Sequence, residues 1–134
     1  MGTVLVAAAV LIENGRVLLT QRKAGSHLAG AWEFPGGKVA EGEDPRAALT
    51  RELAEEVGID ASAGEIVDVT FHRYDDVGKT MLLLFFEATR APGSPDPRAI
   101  DVAAVKWADA GDLDPRQFPP ADVEVLRKVR ARLG

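Results

Sequence analysis

The stretch GKVAEGEDPRAALTRELAEEVGI, residues 37–59, decides the fold around it. Its second half is typical of a helix with defined ends. Asp44 is a favourable N-cap, Pro45 suits the first helical position, and Gly58 suits the position just past the end. One stripe of this helix is apolar and contains Leu49, Leu53 and Val57. We therefore predict a helix that buries one side and exposes the other.

The carboxylates of the same helix form a second stripe. Glu52, Glu55 and Glu56 are spaced so that they fall within an arc of about 100° on a helix. Three like charges this close repel one another unless a cation lies between them. Because donor sets made only of oxygen suit Mg²⁺, Mn²⁺ or Ca²⁺, the stripe indicates a divalent metal site.

The spacing of the whole stretch is specific. Five residues separate Gly37 from Glu43, and seven separate Glu43 from Arg51, which opens the run RELAEEVGI. This pattern resembles the Nudix box at every defining position. The segments WEFPGGK, residues 32–38, and FPPAD, residues 118–122, are similar to the MutT-type branch of the Nudix hydrolases. That branch removes oxidised or unwanted nucleoside triphosphates.

The rest of the pattern predicts strands on both sides of the helix. Two apolar runs, residues 3–12 and 16–22, flank Asn14-Gly15, which is a strong hairpin signal. A long glycine-rich loop, residues 23–42, is interrupted only at residues 32–34. Further strands are predicted over residues 65–73, 80–89 and 103–107, and an amphipathic helix is predicted from residue 121 onward.

This order of elements favours a mixed sheet with helices on its faces, an α+β or three-layer α/β arrangement. The resemblance implies the α/β/α sandwich of the Nudix fold, with a mixed β-sheet, a catalytic loop–helix–loop and a C-terminal helix. Since it covers nearly the whole chain, we expect a single Nudix hydrolase domain over residues 1–134.

Composition narrows the classes of function. The chain has 134 residues, of which 46% are hydrophobic and 28% charged, as in an ordinary globular domain. It contains no cysteine, which excludes disulfides and thiolate zinc sites. A net charge of −5 argues against a nucleic-acid polymer as partner, although a bound cation would admit a triphosphate. The apolar start is far shorter than the roughly 20 residues of a membrane span, so we expect a cytoplasmic protein without membrane contact.

The resemblance assigns roles to the residues of the box. It implies that Glu55 and Glu56 coordinate the metal directly, and that Glu52 binds it through water or acts as the base that orients the attacking water. The backbone carbonyl of Gly37, or that of Gly36, would be a further ligand. Magnesium is the implied ion, and manganese is its substitute.

Three more residues are candidates near this centre. Arg51 would position the carboxylates through bidentate pairing. Glu43 would either ligate the metal or hold Arg51 in place. Relatives usually carry a glutamate six residues before the tryptophan of the last strand, where it binds metal or acts as the base. Counting back from Trp107 gives Asp101, which is one methylene shorter, so a solvated loop acid is the alternative.

The candidates for binding the nucleotide are Arg22, Phe34, Lys38, Lys79 and Asp122. Lys38 would neutralise a phosphate, and Phe34 would stack on the base or anchor the core. The MutT-type archetype has asparagine at the position of Asp122, so this residue either reads the base or caps the last helix. Ionised aspartate only accepts hydrogen bonds, whereas asparagine both donates and accepts. Weaker candidates for the wall of a cleft are His27, His72, Arg73 and Tyr74.

These features favour a Mg²⁺-dependent pyrophosphohydrolase that converts a nucleoside triphosphate to the monophosphate and diphosphate. The expected substrates are 8-oxo-dGTP and (d)CTP, and the expected state is a monomer or homodimer that binds small nucleotides. One alternative is a hydrolase of nucleoside diphosphate-linked substrates, such as ADP-ribose or a nucleotide sugar. The alternative from another class is a non-catalytic nucleotide sensor, which we would expect to have lost box carboxylates that this chain retains.

Overall fold

The computed structural model describes residues 2–134, and its central strand is β1, Val4–Glu13. A tight turn joins β1 to strand β2, Arg16–Gln21. Asn14 and Gly15 have φ angles of 52° and 73° in this turn, the left-handed geometry that suits a two-residue hairpin. The predicted hairpin is therefore confirmed. The other strands are β3 (Trp32–Glu33), β4 (Gly36–Lys38), β5 (Ala61–Tyr74), β6 (Lys79–Arg90) and β7 (Ala104–Ala108).

The strands form one mixed sheet in the order β3-β2-β1-β6-β5, with β4 beside β1 and β7 beside β2. β1 and β6 are parallel, with Val4 opposite Met81 and Leu11 opposite Ala88. The other pairs are antiparallel. The prediction of a mixed sheet is confirmed.

A helix covers each face of the sheet. Helix α1, Pro45–Val57, packs on the face that receives Ala7, Ala9 and Leu11 of β1. Helix α2, Val123–Leu133, packs on the opposite face, and its core residues are Val125, Leu126 and Val129. Because successive side chains of a strand point to opposite faces, β1 contributes to both apolar cores. This is the α/β/α arrangement that the sequence predicted.

The ends of α1 are as predicted. The Asp44 side chain accepts a hydrogen bond from the Arg46 backbone N–H at 2.8 Å, and Pro45 is the first helical residue. Gly58 ends the helix with a φ of 70°, a conformation that costs glycine little. Within residues 2–134, neither α-helix is long and apolar enough to cross a membrane.

Three differences from the predictions exceed a one-residue shift of a boundary. β5 begins at Ala61 rather than at residue 65, because register shifts between Ala63 and Asp68 interrupt the alternation that marks a strand. The long loop contains a second short strand, β4, whose glycines gave no strand signal. Helix α2 begins at Val123, after a 3₁₀ turn over Pro120–Asp122, in which the Asp122 side chain makes no capping hydrogen bond. Asp122 thus holds the N-cap position of α2, at the positive end of the helix, without a capping hydrogen bond.

The packing of the two cores predicts different losses of stability when two phenylalanines on neighbouring strands are replaced. Phe85 on β6 is fully buried, whereas Phe71 on β5 is 62% exposed. We expect Phe85→Ala to lower the free energy of unfolding by about 3–5 kcal/mol, because it leaves a cavity beside Phe34. Phe71→Ala should change it by less than about 1 kcal/mol. Urea unfolding measures both, with Phe85→Leu as a milder variant; equal losses at the two positions would contradict this packing.

Candidate active site

A cavity of about 360 Å³ opens where the box meets the turn before α2. Eight of the residues predicted from the sequence line it: Arg22, Phe34, Gly37, Lys38, Glu52, Glu56, Lys79 and Asp122. Four others, Glu43, Arg51, Glu55 and Asp101, do not line it. The cavity thus brings together carboxylates of the box, three basic side chains and the acid of the MutT-like segment.

Arg51 is the hub of the charges on α1. Its Nη1 donates to Glu52 at 3.0 Å and to Glu55 at 3.3 Å. Its Nε and Nη2 donate to the two carboxylate oxygens of Glu43 at 2.9 and 3.0 Å, and Nη2 also donates to the Lys38 carbonyl at 3.2 Å. The Arg51 guanidinium thus joins the loop before α1 to the helix. It also fixes the orientation of the Glu52 side chain, which lines the cavity.

Glu43 is occupied by these contacts. One of its oxygens also accepts the Ala40 backbone N–H at 3.0 Å. The Arg51 guanidinium and this N–H lower the pKa of Glu43 to about 2. Of the two alternatives left open by the sequence, the geometry favours Glu43 as the residue that holds Arg51 in place.

The three-carboxylate ligand set predicted from the helix is not assembled. Within residues 2–134, no group of three acidic or histidine side chains is placed to hold one metal ion. The Glu55 side chain is 58% exposed and pairs with Arg51. Glu52 also pairs with Arg51. The Arg51 guanidinium offsets the repulsion between Glu52 and Glu55.

The residues that remain at the cavity fit a divalent ion. A Cβ atom placed on Gly37 would lie 2.4–2.7 Å from the Glu52 carboxylate, so only glycine allows the backbone and that carboxylate to be so close. Burial, followed by the charges of Glu52, Glu33 and Asp101, raises the pKa of Glu56 to about 8. A hydrogen bond from the Gly36 N–H opposes this shift. Oxygen donors in a region this unfavourable for negative charge form a set that a cation would stabilise.

Asp101 lies beside this group rather than in the cavity. Its carboxylate accepts a hydrogen bond from Lys23 Nζ at 2.6 Å, and its side chain is 63% exposed. Its backbone N–H donates to the Glu56 carbonyl at 3.1 Å, which ties the 98–101 segment to the end of α1. The arrangement places Asp101 close enough to influence Glu56, with its own carboxylate paired elsewhere.

The far wall of the cavity contains an acid that the sequence analysis missed. Arg22 Nη1 donates to both carboxylate oxygens of Glu33 at 3.2 Å, and Arg22 Nε donates to the His27 carbonyl at 2.6 Å. Burial raises the pKa of Glu33, against the opposing charge of Arg22. The available signal was an acid between Trp32 and Phe34, two aromatic residues next to the glycine pair.

Asp122 is the most buried acid of the cavity, with 4% of its surface exposed. The backbone N–H of Phe34 donates to its carboxyl group. Burial and the charge of Glu33 nevertheless raise its pKa well above the usual range, and Arg22 only partly offsets them. The sequence analysis treated Asp122 as an ionised acceptor; its surroundings favour the neutral acid, which carries both an O–H donor and a C=O acceptor.

The basic side chains approach the cavity from other elements. Burial and the positive charges of Lys38 and Arg22 lower the pKa of Lys79. Three cations that influence one another form an electrostatic environment suited to phosphate groups. Phe34 is 3% exposed and packs edge-on against Phe85 at 5.9 Å between ring centroids, so its core-anchor role is realised in the structure.

Comparisons with known proteins identify relatives of this chain. The family model of the NUDIX domain matches residues 3–129. The chain is 36% identical over 131 residues to the CTP pyrophosphohydrolase of Escherichia coli strain K12. The alignment covers 98% of this chain and 94% of that protein. It is 35% identical over 128 residues to the 8-oxo-dGTP diphosphatase of Haemophilus influenzae. This alignment covers 94% of this chain and 91% of that protein.

A solved structure gives the same result. The MutT NUDIX hydrolase of Burkholderia pseudomallei superposes with a TM-score of 0.83 at 26% identity, covering 96% of this chain and 99% of that one. The mixed sheet with its two helices therefore matches the fold of this neighbour. The chain therefore belongs to the NUDIX domain family and is a MutT-like Nudix hydrolase.

Proposed function

We propose that this Nudix hydrolase converts nucleoside triphosphates to the monophosphate and diphosphate, with 8-oxo-dGTP and (d)CTP as substrates. One observation supports the proposal above all. The same cavity is lined by carboxylates of the box, by three basic side chains and by the buried acid Asp122. The carboxylates and cations suit a polyphosphate, and the buried polar group suits the edge of a base. The relatives named CTP pyrophosphohydrolase and 8-oxo-dGTP diphosphatase support these two substrates.

Members of this family generally use a divalent metal. Here Glu56 and a backbone carbonyl at Gly36 or Gly37 would hold it directly and Glu52 would bind it through water, with Mg²⁺ as the ion and Mn²⁺ as a substitute, and Glu55 would join them after leaving Arg51. Such an ion neutralises phosphate charge and lowers the pKa of a bound water.

The chain's own residues perform the remaining tasks. Glu52 orients the attacking water and accepts its proton, and Arg51 keeps that carboxylate on the cavity side. Lys38 and Lys79 bind the phosphate oxygens and hold the chain of phosphates in line. Asp101 is an alternative base, at the cost of its bond to Lys23.

The base is read on the far wall of the cavity. Asp122 offers a donor and an acceptor when neutral, and only acceptors when ionised. It faces the cavity beside Phe34, whose backbone N–H already binds it. A polar contact of this kind discriminates between bases by roughly ten- to a hundredfold.

A product assay tests the proposed reaction. Purified protein with Mg²⁺ is incubated with a panel of normal and oxidised triphosphates in ¹⁸O-water. We expect monophosphate and diphosphate as products, with the label in diphosphate, as attack on the β-phosphorus requires. Release of orthophosphate, or turnover of ADP-ribose and nucleotide sugars alone, would overturn the proposal.

A variant of the box tests the metal ligands. Glu56→Gln removes one negative oxygen from the cavity, so we expect kcat to fall by at least about 10²-fold. The fold should persist, because losing a buried acid with a raised pKa relieves repulsion. A Mg²⁺ titration followed by Tm should show a smaller stabilisation than in the native chain. Glu124→Gln, an exposed acid on α2, is the control; the same Mg²⁺-dependent turnover in both variants would contradict the ligand assignment.

Asp122 gives a pH-dependent prediction. Its raised pKa means that the side chain is neutral below that value and ionised above it, while the amide side chain of the Asp122→Asn variant does not titrate. The ratio of 8-oxo-dGTP to dCTP turnover should therefore be similar in the two proteins at low pH. It should diverge by roughly ten- to a hundredfold as the pH rises through the pKa of Asp122. Charges facing Asp122 come from Glu33 and Arg22, and the Tyr74 hydroxyl lies nearby.

Stability provides a readout of the same titration that needs no substrate. An acid with a raised pKa in the folded state stabilises the fold below its unfolded-state pKa and loses that contribution as the pH rises through the folded-state pKa. The free energy of unfolding of Asp122→Asn should thus increase relative to that of the native chain as the pH rises. Parallel pH profiles for both stability and substrate ratio would show that Asp122 neither titrates in this range nor reads the base.

A further inference from the structure

Tyr74 is the side chain that ties the Asp122 turn to the sheet. It is the last residue of β5 and is 8% exposed. Its Oη accepts the backbone N–H of Ala121 at 3.2 Å. Since Pro119 and Pro120 have no N–H, Ala121 carries the first available backbone donor of this turn.

Two histidine rings pack against the ring of Tyr74. His27 lies edge-on to it at 5.1 Å between centroids, and His72 lies at 4.5 Å. His27 Nε2 is also 2.9 Å from Asp76 Oδ2, in the turn between β5 and β6. The loop after β2, the β5–β6 turn and the turn before α2 therefore meet around one tyrosine.

The Asp122 side chain is buried but makes few hydrogen bonds of its own. It receives the Phe34 N–H and makes no helix-capping bond, and its backbone N–H donates to the Pro119 carbonyl at 2.9 Å. The direction of its carboxyl group consequently depends on how the preceding backbone is held. That backbone is held by Tyr74 through the adjacent Ala121.

We propose that Tyr74 is a positioning residue for base specificity, which acts by fixing the Ala121–Asp122 backbone so that the Asp122 carboxyl group faces the base. This inference rests on the proposed function. Its Oη acts through Ala121 rather than through the metal ligands, so loss of the hydroxyl should affect KM and substrate choice more than kcat.

Tyr74→Phe isolates the hydroxyl, because the ring and its contacts with both histidines are kept. We expect the preference between 8-oxo-dGTP and dCTP, measured as the ratio of kcat/KM, to change by roughly two- to tenfold, the scale of one hydrogen bond. Amide hydrogen exchange at Ala121 should become faster, which reports the broken bond without any substrate. Ser62→Ala, which removes an exposed hydroxyl from the other end of β5, is the control and should change neither quantity.

A double-mutant cycle separates positioning from general stabilisation. If Tyr74 acts through Asp122, Tyr74→Phe should have no further effect on the preference in an Asp122→Ala background. The same shift in both backgrounds, or no shift in the native background while 8-oxo-dGTP and dCTP are both hydrolysed, would overturn the inference and leave the proposed function intact. If the native protein hydrolyses neither nucleotide, the proposed function and the inference both fail.

Discussion

The close approach of strand β4 to strand β1 is the constraint on which the site depends. Gly36 lies opposite Ala8 and Gly37 opposite Ala7. A Cβ atom on Gly36 would lie 2.0 Å from the Ala7 carbonyl oxygen, so no other residue fits without moving the backbone. This contact brings the backbone that carries Lys38 against the sheet, and α1 then places Glu52 and Glu56 over the two glycines. Gly36, which lets the backbone of β4 approach that of β1, is therefore as necessary to the site as its carboxylates.

Charge is the second constraint, and the molecule meets it with guanidinium groups. Arg51 connects three carboxylates on and before α1, and Arg22 holds Glu33 on the far wall. Each arginine keeps an acid in place that would otherwise be repelled by its neighbours. Burial raises the pKa of Glu56 and Asp122, which face the cavity, and it also raises that of Glu33 in spite of Arg22. The arginines thus fix the orientation of the acids that they bind, whereas burial sets the pKa of these three.

Sequence reasoning was most successful where the signal is local. The cap at Asp44, the glycine at the end of α1 and the Asn14-Gly15 turn follow from backbone chemistry that neighbouring residues determine. It failed where the answer depends on distant partners. The early start of β5 is set by pairing with β6 across register shifts, and the role of Glu33 requires Arg22, which lies just after β2. The raised pKa of Asp122 could not be foreseen, because its burial is created by residues far along the chain.

The parallel pairing of β1 with β6 also has a kinetic consequence. Val4 pairs with Met81, so β1, which precedes the other strands of the sheet, has no partner on that side until β6 has been made. Until then, β1 has only the β2 hairpin and β4 to pair with. Closing so long a loop is entropically costly and slows folding. An apolar strand rich in valine, leucine and alanine therefore has one edge without its partner until β6 is made, and unpaired apolar edges of this kind favour aggregation.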